Sequence, residues 1–494
     1  MTICFNGNEF KYEMENIARL FYPLRRFDYL YEPDALPDGD FIHILRQRVE
    51  TGVRLAAAVR DGEFQDRAES LLPADTPDDE QELELGRLLY RILQRETGIT
   101  PQWGILTGVR PVKLVQQRLR SGESPAQIEE ALRQRYYVSD RKIQLALQIA
   151  GAQQELLAGD QPNDYSLYLS IPYCPSRCSY CSFVSHAITG KKALELVPKY
   201  VRTLVRELSL TAEIAREAGL RLRSVYIGGG TPTALTAAQL REVTNAVRNY
   251  FPLTPEVEYT IEAGRADTLD EEKLRVIKEA GAGRISINPQ TFSDSVLQAI
   301  GRKHTAEDVV RCYELAREIG FDSINMDFIA GLPTDTYESF CRSIDRAVEL
   351  APENITVHTL AIKRSSDLFA SGYVTEDYRP AQRMVEYAYE RLTAAGYLPY
   401  YLYRQKNIVG NLENVGYAKP GHFGRYNVYI MEEVQTILAA GAGAVSKAVL
   451  PDDLVRVYNY KYPNEYIAGF EDILARKREL LKTLSPEGES SACR

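Results

Sequence analysis

Several things are scarce or missing in this chain. It has one tryptophan, five methionines and five histidines among 494 residues. No apolar run approaches the ~20 residues that a membrane-crossing helix needs. The opening run, Met1-Thr-Ile-Cys-Phe-Asn-Gly-Asn-Glu, has no basic stretch leading into an apolar one, which predicts no signal peptide. Basic charge is not in excess: Lys and Arg number 59 against 68 Asp and Glu, a formal net charge of −9. With no basic patch either, nucleic acid is not an expected partner. No sequence repeat of 20–50 residues stands out beyond a strand–helix alternation. Cysteines number seven, an odd count that does not make a disulfide framework. These absences together predict a cytoplasmic protein, in a compartment that keeps thiols reduced.

What remains is ordinary globular composition, 45% hydrophobic and 26% charged, on a chain long enough for two or three domains. Residues 1–160 read as an N-terminal α/β accessory domain. It has a strand at Thr2–Phe5, a strand pair around Phe41–Arg60, and helices at Asp79–Arg95, Pro111–Ser121, Pro125–Arg135 and Asp140–Leu157. The only tryptophan, Trp103, sits in a Gly- and Pro-punctuated loop read as a structural turn. Asp160–Asp164 is a plausible linker.

From Tyr165 strands and helices alternate six times. Strands are placed at Tyr165–Ile171, Ser224–Ile227, Glu256–Glu262, Arg284–Ile287, Ser323–Phe328 and Ile355–Ala361. Such alternation implies a parallel sheet with right-handed crossovers. In α/β barrels the chemistry gathers where the βα loops meet, at the strand C-termini. The domain is bounded at 161–365. Residues 366–494, rich in tyrosine, are read as a small C-terminal cap over the substrate, ending in a polar, disordered tail from Ser485 that holds Cys493. Cys312 and Cys341 fall in predicted helices and are read as buried hydrophobes.

The chemistry concentrates at Cys174, Cys178 and Cys181, spaced C-x-x-x-C-x-x-C on a loop after the first of these strands. Three thiolates on one short loop can hold three irons of a cubane and leave the fourth without a protein ligand. The alternative is structural zinc with His186 as fourth ligand, since zinc wants four closed ligands. Gly228-Gly-Gly-Thr-Pro-Thr233 follows the second strand, and glycine lets backbone approach a ligand closely. Glu262 ends the third, where a carboxylate can bind two ribose hydroxyls.

These strings, with Tyr168-x-x-Ile-Pro-Tyr-Cys, Arg284-Ile-Ser-Ile-Asn-Pro-Gln290, Asp327-Phe-Ile-Ala-Gly-Leu-Pro333 and Gly441-Ala-Gly-Ala-Val-Ser446, stand in the order found in radical S-adenosylmethionine enzymes. The chain most resembles oxygen-independent coproporphyrinogen III dehydrogenases and their relatives, especially the type with a long N-terminal extension. The resemblance covers Asp164 to Ser446. It implies an open, six-stranded partial (β/α)6 barrel of TIM type. It also implies a [4Fe–4S] cluster on the three cysteines and S-adenosylmethionine as cosubstrate.

The same resemblance assigns roles by position. Tyr168 would contact the cosubstrate beside the cluster and is the side chain expected at the chemistry. Phe183 would pack near the adenine. Gly229, Gly230 and Thr231 would meet the methionyl amino group, and Arg302 its carboxylate, a task suited to a planar guanidinium. Glu262, Gln290, Asp327 and Ala361 would complete the cosubstrate contacts. Phe183 replaces an extra cysteine of the well-characterised dehydrogenases and matches haem-chaperone relatives, a departure that bears on the reaction rather than on the cluster.

The implied reaction is anaerobic oxidative decarboxylation of coproporphyrinogen III propionates to vinyls, giving protoporphyrinogen IX. An electron donor such as flavodoxin or ferredoxin would supply it. Alternatives are a haem-binding chaperone, or an enzyme acting on another tetrapyrrole, such as an anaerobic haem-opening methyltransferase. Substrate propionates need cations, for which Lys363, Arg364, Arg404 and Arg425 are candidates. His358 is a candidate to point into the barrel. His422, in a Pro-Gly-His segment that resembles the family's region near the tetrapyrrole, is a candidate for substrate or haem iron.

Overall fold

A computed structural model describes residues 1–484 except 109, 184, 376, 406, 407 and 452, and except the side chain of Lys192. The expected disordered tail, with Cys493, lies outside the described residues. No described helix is long and apolar enough to cross a membrane.

Two compact units result. The first comprises residues 1–147 with the short segments 404–406 and 410–412. Its five strands are β1 (Thr2–Asn6), β2 (Asp28–Tyr31), β3 (Phe41–Val49), β4 (Gly52–Asp61) and β5 (Phe64–Leu72), in the order β2-β1-β3-β4-β5. Helices Lys11–Phe21 and Asp78–Thr97 supply Met14, Ile17, Leu85, Leu88 and Leu89 to the core, and the sheet adds Ile3, Phe5, Ile42 and Ile44. Trp103 is 2% exposed in a turn, as the structural reading requires.

The second unit begins at Gln148, inside the helix Asp140–Leu157, so the division falls before the expected linker. Its sheet starts with six parallel strands: β6 (Asp164–Ile171), β9 (Arg221–Gly229), β10 (Glu258–Glu262), β11 (Arg284–Ser286), β12 (Ser323–Ala330) and β13 (Asn354–Thr359). Two short strands, β7 (Tyr173–Cys174) and β8 (His186–Ala187), pair with each other across the cysteine loop. Long amphipathic helices, among them Lys191–Glu217, Ala237–Tyr250 and Ala306–Ile319, connect the parallel strands. Thr236 and Thr305 cap the last two with reciprocal Gln239 and Asp308 hydrogen bonds, which fixes where those helices start.

The C-terminal region is not a separate cap. β14 (Leu398–Tyr403) and β15 (Asn414–Ala418) join antiparallel beside β13, and β16 (Thr436–Ala440) adds a seventh parallel strand beside β6. β17 (Val445–Val449) and β18 (Leu454–Tyr458) extend that edge. The sheet is open, with β14 at one edge and β18 at the other. These strands read as a small domain because β16, which ties the region back to β6, pairs with a strand some 270 residues earlier.

The Gly441–Ser446 string serves packing. The Gly441 N–H donates to Glu207 (2.8 Å), and Ser446 Oγ accepts from the Ala439 N–H (2.9 Å). A Cβ on Gly441 would sit 2.4 Å from the Ser170 carbonyl, so only glycine lets this turn meet β6. Glu207 and Lys477, both buried, pair at 2.8 Å behind it.

Candidate active site

The period of two along a strand puts Tyr168, Tyr226, Glu262, Asp327 and His358 at strand positions that can share one face, and their contacts place them together. Tyr168 and Tyr226 are register partners on β6 and β9, their rings stacked 6.3 Å apart. The Tyr226 hydroxyl donates to Glu262 at 2.6 Å. His358 Nε2 lies 3.8 Å from Asp327 Oδ2, and Asn325 donates to the other oxygen at 2.7 Å. Burial would raise Asp327, but His358 and Asn325 more than reverse that and hold it below the usual carboxylate range.

Glu262 goes the other way. Burial, with the nearby Asp327 charge, pushes it from 4.5 to about 7 against the Tyr226 hydrogen bond. A carboxyl whose folded pKa is raised binds its proton more tightly in the native state. Its stabilising share is therefore complete below 4.5 and is lost as pH rises through 7. E262Q protein without cosubstrate is expected to be more stable than the parent at pH 8, by at most about 3 kcal/mol, and to show no gain near pH 4. Thermal unfolding of both proteins at the two pH values checks this; a gain independent of pH would contradict it.

The cysteine loop lies at the C-terminal end of β6, anchored on several sides. The N–H groups of Gly230 and Thr231 donate to the carbonyls of Ile171 (2.8 Å) and Tyr173 (2.7 Å). A Cβ on Gly230 would stand 2.6 Å from the Tyr173 oxygen, so the glycine string is what lets β9 close on the chain entering the loop. Thr231 Oγ1 lies 3.4 Å from Cys174 Sγ. The Ser179 N–H donates to Ile300 (3.1 Å), and the Leu368 N–H donates to Ser179 (2.9 Å). Ser365 Oγ donates to the Ser182 carbonyl (3.1 Å), and Arg177 reaches Ser365 and Asp367. Burial pushes the Cys174 thiol up and Cys181 to about 11. Coordination to a metal cation reverses that cost, since a coordinating thiol is deprotonated outright.

Arg302 is shaped for an anion. Its Nη1 donates to the carbonyls of Gly264 and Asn288, both at 3.0 Å, and its Nη2 to the Tyr180 hydroxyl at 3.1 Å. A guanidinium has five N–H groups. The buried Nε–H and one hydrogen of Nη2 are left over, the side-on fork that grips a carboxylate. Among the described residues no acidic side chain forms an ion pair with Arg302.

Gln290 sits past β11 with φ at 68°, a left-handed conformation uncommon for a residue with a side chain. It is locked there by its N–H on Asp327 (2.8 Å) and by the Ile329 N–H on its carbonyl (3.1 Å). Ala361 follows β13 in a bridge to Ile408. Phe183 is 69% exposed, an apolar ring left open on the loop. The positions expected to hold cluster and cosubstrate thus all fall on the C-terminal halves of the parallel strands or in the loops that follow them.

Other expectations are corrected. His422 and Arg425 lie at the opposite end of the strands. The His422 carbonyl accepts from Arg284 and Asn354, which open β11 and β13, both at 2.9 Å. The N–H groups of Arg425 and Tyr426 donate to Glu258, at the start of β10 (2.8 and 3.1 Å). Arg404 is buried, donating to Leu106 and Gly108. Cys312 and Cys341 are only half-buried. Among the described residues no three His, Cys, Asp or Glu side chains are arranged to hold a single metal ion. His186 instead packs edge-on to Tyr462 at 5.7 Å. A cubane asks no such convergence, as each thiolate takes its own iron.

Sequence reasoning missed Arg265, Tyr180 and Tyr226. Arg265, three residues past Glu262 in a βα loop, was the most legible of them, since a charged residue there is placed at the mouth of the sheet.

An open sheet with a run of parallel strands, a three-cysteine loop at its mouth and a guanidinium that no described acidic side chain pairs with fit a radical S-adenosylmethionine enzyme, and the model of that superfamily matches residues 168–347. The chain is 37% identical over 483 residues to the oxygen-independent coproporphyrinogen-III oxidase-like protein HemZ of Bacillus subtilis, covering 95% of each. It is 31% identical over 307 residues to the heme chaperone HemW of Escherichia coli, covering 62% of this chain and 76% of that one. The solved coproporphyrinogen III oxidase HemN of Escherichia coli superposes with a TM-score of 0.50 at 24% identity, over 65% of this chain and 72% of that one. The chain belongs to the oxygen-independent coproporphyrinogen III oxidase-like family of radical S-adenosylmethionine enzymes, whose cofactors are a [4Fe–4S] cluster and S-adenosylmethionine.

Proposed function

We propose that this oxidoreductase converts propionates of coproporphyrinogen III to vinyls without oxygen, giving protoporphyrinogen IX in the cytoplasm, with an electron donor of the flavodoxin or ferredoxin kind. Cys174, Cys178 and Cys181 would hold the cluster. Arg302 would take the cosubstrate carboxylate, Glu262 its ribose, and Gln290, Asp327 and Ala361 the neighbouring contacts. Tyr168 would stand beside the reacting atoms and Phe183 would cover the adenine. When bound, the cluster and cosubstrate supply a radical able to abstract hydrogen. At the substrate, the propionate β-carbon loses hydrogen, the carboxylate leaves as carbon dioxide, and one electron passes to an acceptor.

One observation carries the choice of a carboxylate substrate. Segment 363–368 is bonded onto the cysteine loop through Ser365, Asp367 and Leu368, which brings Lys363 and Arg364 beside it. Arg364 is exposed, and burial pulls Lys363 below the usual lysine range, a cost that an anionic partner would offset. The K363A/R364A double variant is expected to raise KM for coproporphyrinogen roughly 10- to 100-fold, the worth of one or two charge-assisted hydrogen bonds. Affinity for S-adenosylmethionine should hold. Arg425→Ala, at the far end of the strands, should leave KM unchanged.

The chaperone reading rests on Phe183 and on the HemW similarity, but the segment that carries its histidine, His422, is bonded through its backbone at the strand N-termini. The deciding experiment is anaerobic reconstitution with iron and sulfide, then incubation with coproporphyrinogen III, S-adenosylmethionine and a reductant. Product masses lower by one and two carboxyl groups, with 5′-deoxyadenosine, support the decarboxylase. A methyl gain indicates a methyltransferase, and absence of both 5′-deoxyadenosine and altered porphyrin contradicts the enzymatic reading of this substrate.

A further inference from the structure

Arg265 follows β10, immediately before a short 3-10 turn at Ala266–Thr268, and is 3% exposed. Its guanidinium faces two ways. Toward the cysteine loop, Nη1 lies 3.5 Å from Cys178 Sγ and 3.3 Å from the Ser176 carbonyl, and Nη2 donates to Ser176 Oγ at 3.0 Å. Away from the loop, Nε and Nη2 make a fork on Asp267 at 2.9 and 2.8 Å. Asp267 is in turn 3.5 Å from His304 Nδ1, on a ring only 4% exposed. Burial would raise Asp267, yet His304 and Arg265 hold it well below the ordinary carboxylate range, so the pair is charged.

A buried arginine could serve only to pin a loop. Two features go beyond that. The donor is aimed at a ligating sulfur and not solely at backbone. The cation also carries a dedicated carboxylate, which sets both its orientation and the net charge felt at the sulfur. Hydrogen bonds to cluster sulfurs, and charge near them, are among the levers that set the potential of an iron–sulfur centre. A reduced cluster is more negative than an oxidised one, so a cationic donor at Cys178 favours the reduced form.

We propose that Arg265 is a positioning residue that raises the reduction potential of the cluster through Cys178, with Asp267 as the counter-charge that limits the rise. The inference depends on the cluster and not on which tetrapyrrole is bound, so it stands or falls separately from the decarboxylase reading.

The test is potentiometric titration of the reconstituted cluster, followed by its EPR signal, in the parent, R265K, R265M and D267N proteins. R265M removes the cation. At a fixed applied potential its reduced-to-oxidised ratio should fall about tenfold, which for one electron is a midpoint lower by about 59 mV. R265K keeps the charge and should recover most of that shift. D267N keeps a hydrogen-bond acceptor but removes the counter-charge, and its midpoint should move the opposite way. Asp267 also borders a solvent-open cavity with Lys303, His304 and Asp308, which leaves room for the amide. Unchanged midpoints in loaded R265M and D267N would overturn the proposal. If R265M does not load, D267N decides alone, and loss of the cluster in both would mean that the pair merely holds the loop, which also overturns it.

Discussion

Cys178→Ala protein, prepared without air, is expected to fold and to be nearly colourless. Cys178 is 7% exposed, and the loop that carries it is held independently by Gly230, Thr231, Ile300, Ser365 and Leu368. Alanine removes one buried sulfur and leaves those bonds, so circular dichroism should match the parent. Iron binding should not survive. Removing an outer-shell partner of a metal site costs roughly 10–100-fold in affinity, and a ligand lost outright costs more. Iron and sulfide content and absorbance in the visible range check the result. Cys341→Ala is the control, since that thiol lies in the helix Tyr337–Leu350 and is only half-buried, and it should load iron normally. Equal iron in both variants would refute the ligand assignment.

The second large effect concerns Arg302. Arg302→Lys keeps a cation and one arm of hydrogen bonding but loses the planar fork. Three of the five N–H groups are spent on Gly264, Asn288 and Tyr180, and the remaining two have no acceptor among the described residues. A carboxylate held there by two charge-assisted bonds is worth about 3–5 kcal/mol. Because lysine keeps the charge and so part of that energy, S-adenosylmethionine binding to the reconstituted variant should weaken by roughly 100- to 1000-fold, with iron content near that of the parent. Equilibrium dialysis reads it directly. Weakening by less than a factor of ten would mean that the carboxylate is bound elsewhere.

The parallel half of the fold was legible because its signals are local. A β-rich run ending near Cys174 or at Glu262, followed by an amphipathic helix, can be read from local sequence, and all six strands stand where that alternation puts them. Site residues at strand ends came with them. The C-terminal strands were misjudged because nothing near Thr436 in sequence says that it pairs with Tyr165. β5 escaped notice for the opposite reason: its Gln65, Asp66, Arg67 and Glu69 make it polar, and it exists through its ladder with β4. His422 misled because a histidine flanked by glycine and aromatics looks like a ligand, whereas its backbone carbonyl, not its ring, makes the bonds that fix the segment. Arg265 was missed since its partners, Ser176 and Cys178, lie some ninety residues earlier.

The account rests on three thiolates that leave one iron of the cluster open to S-adenosylmethionine. The direct measurement is the EPR spectrum of the anaerobically reduced, reconstituted protein before and after S-adenosylmethionine is added. A [4Fe–4S] signal whose shape shifts on addition, and does not shift in Arg302→Lys at the same concentration, is the predicted result. A signal indifferent to S-adenosylmethionine, or bound zinc in place of iron, would contradict it.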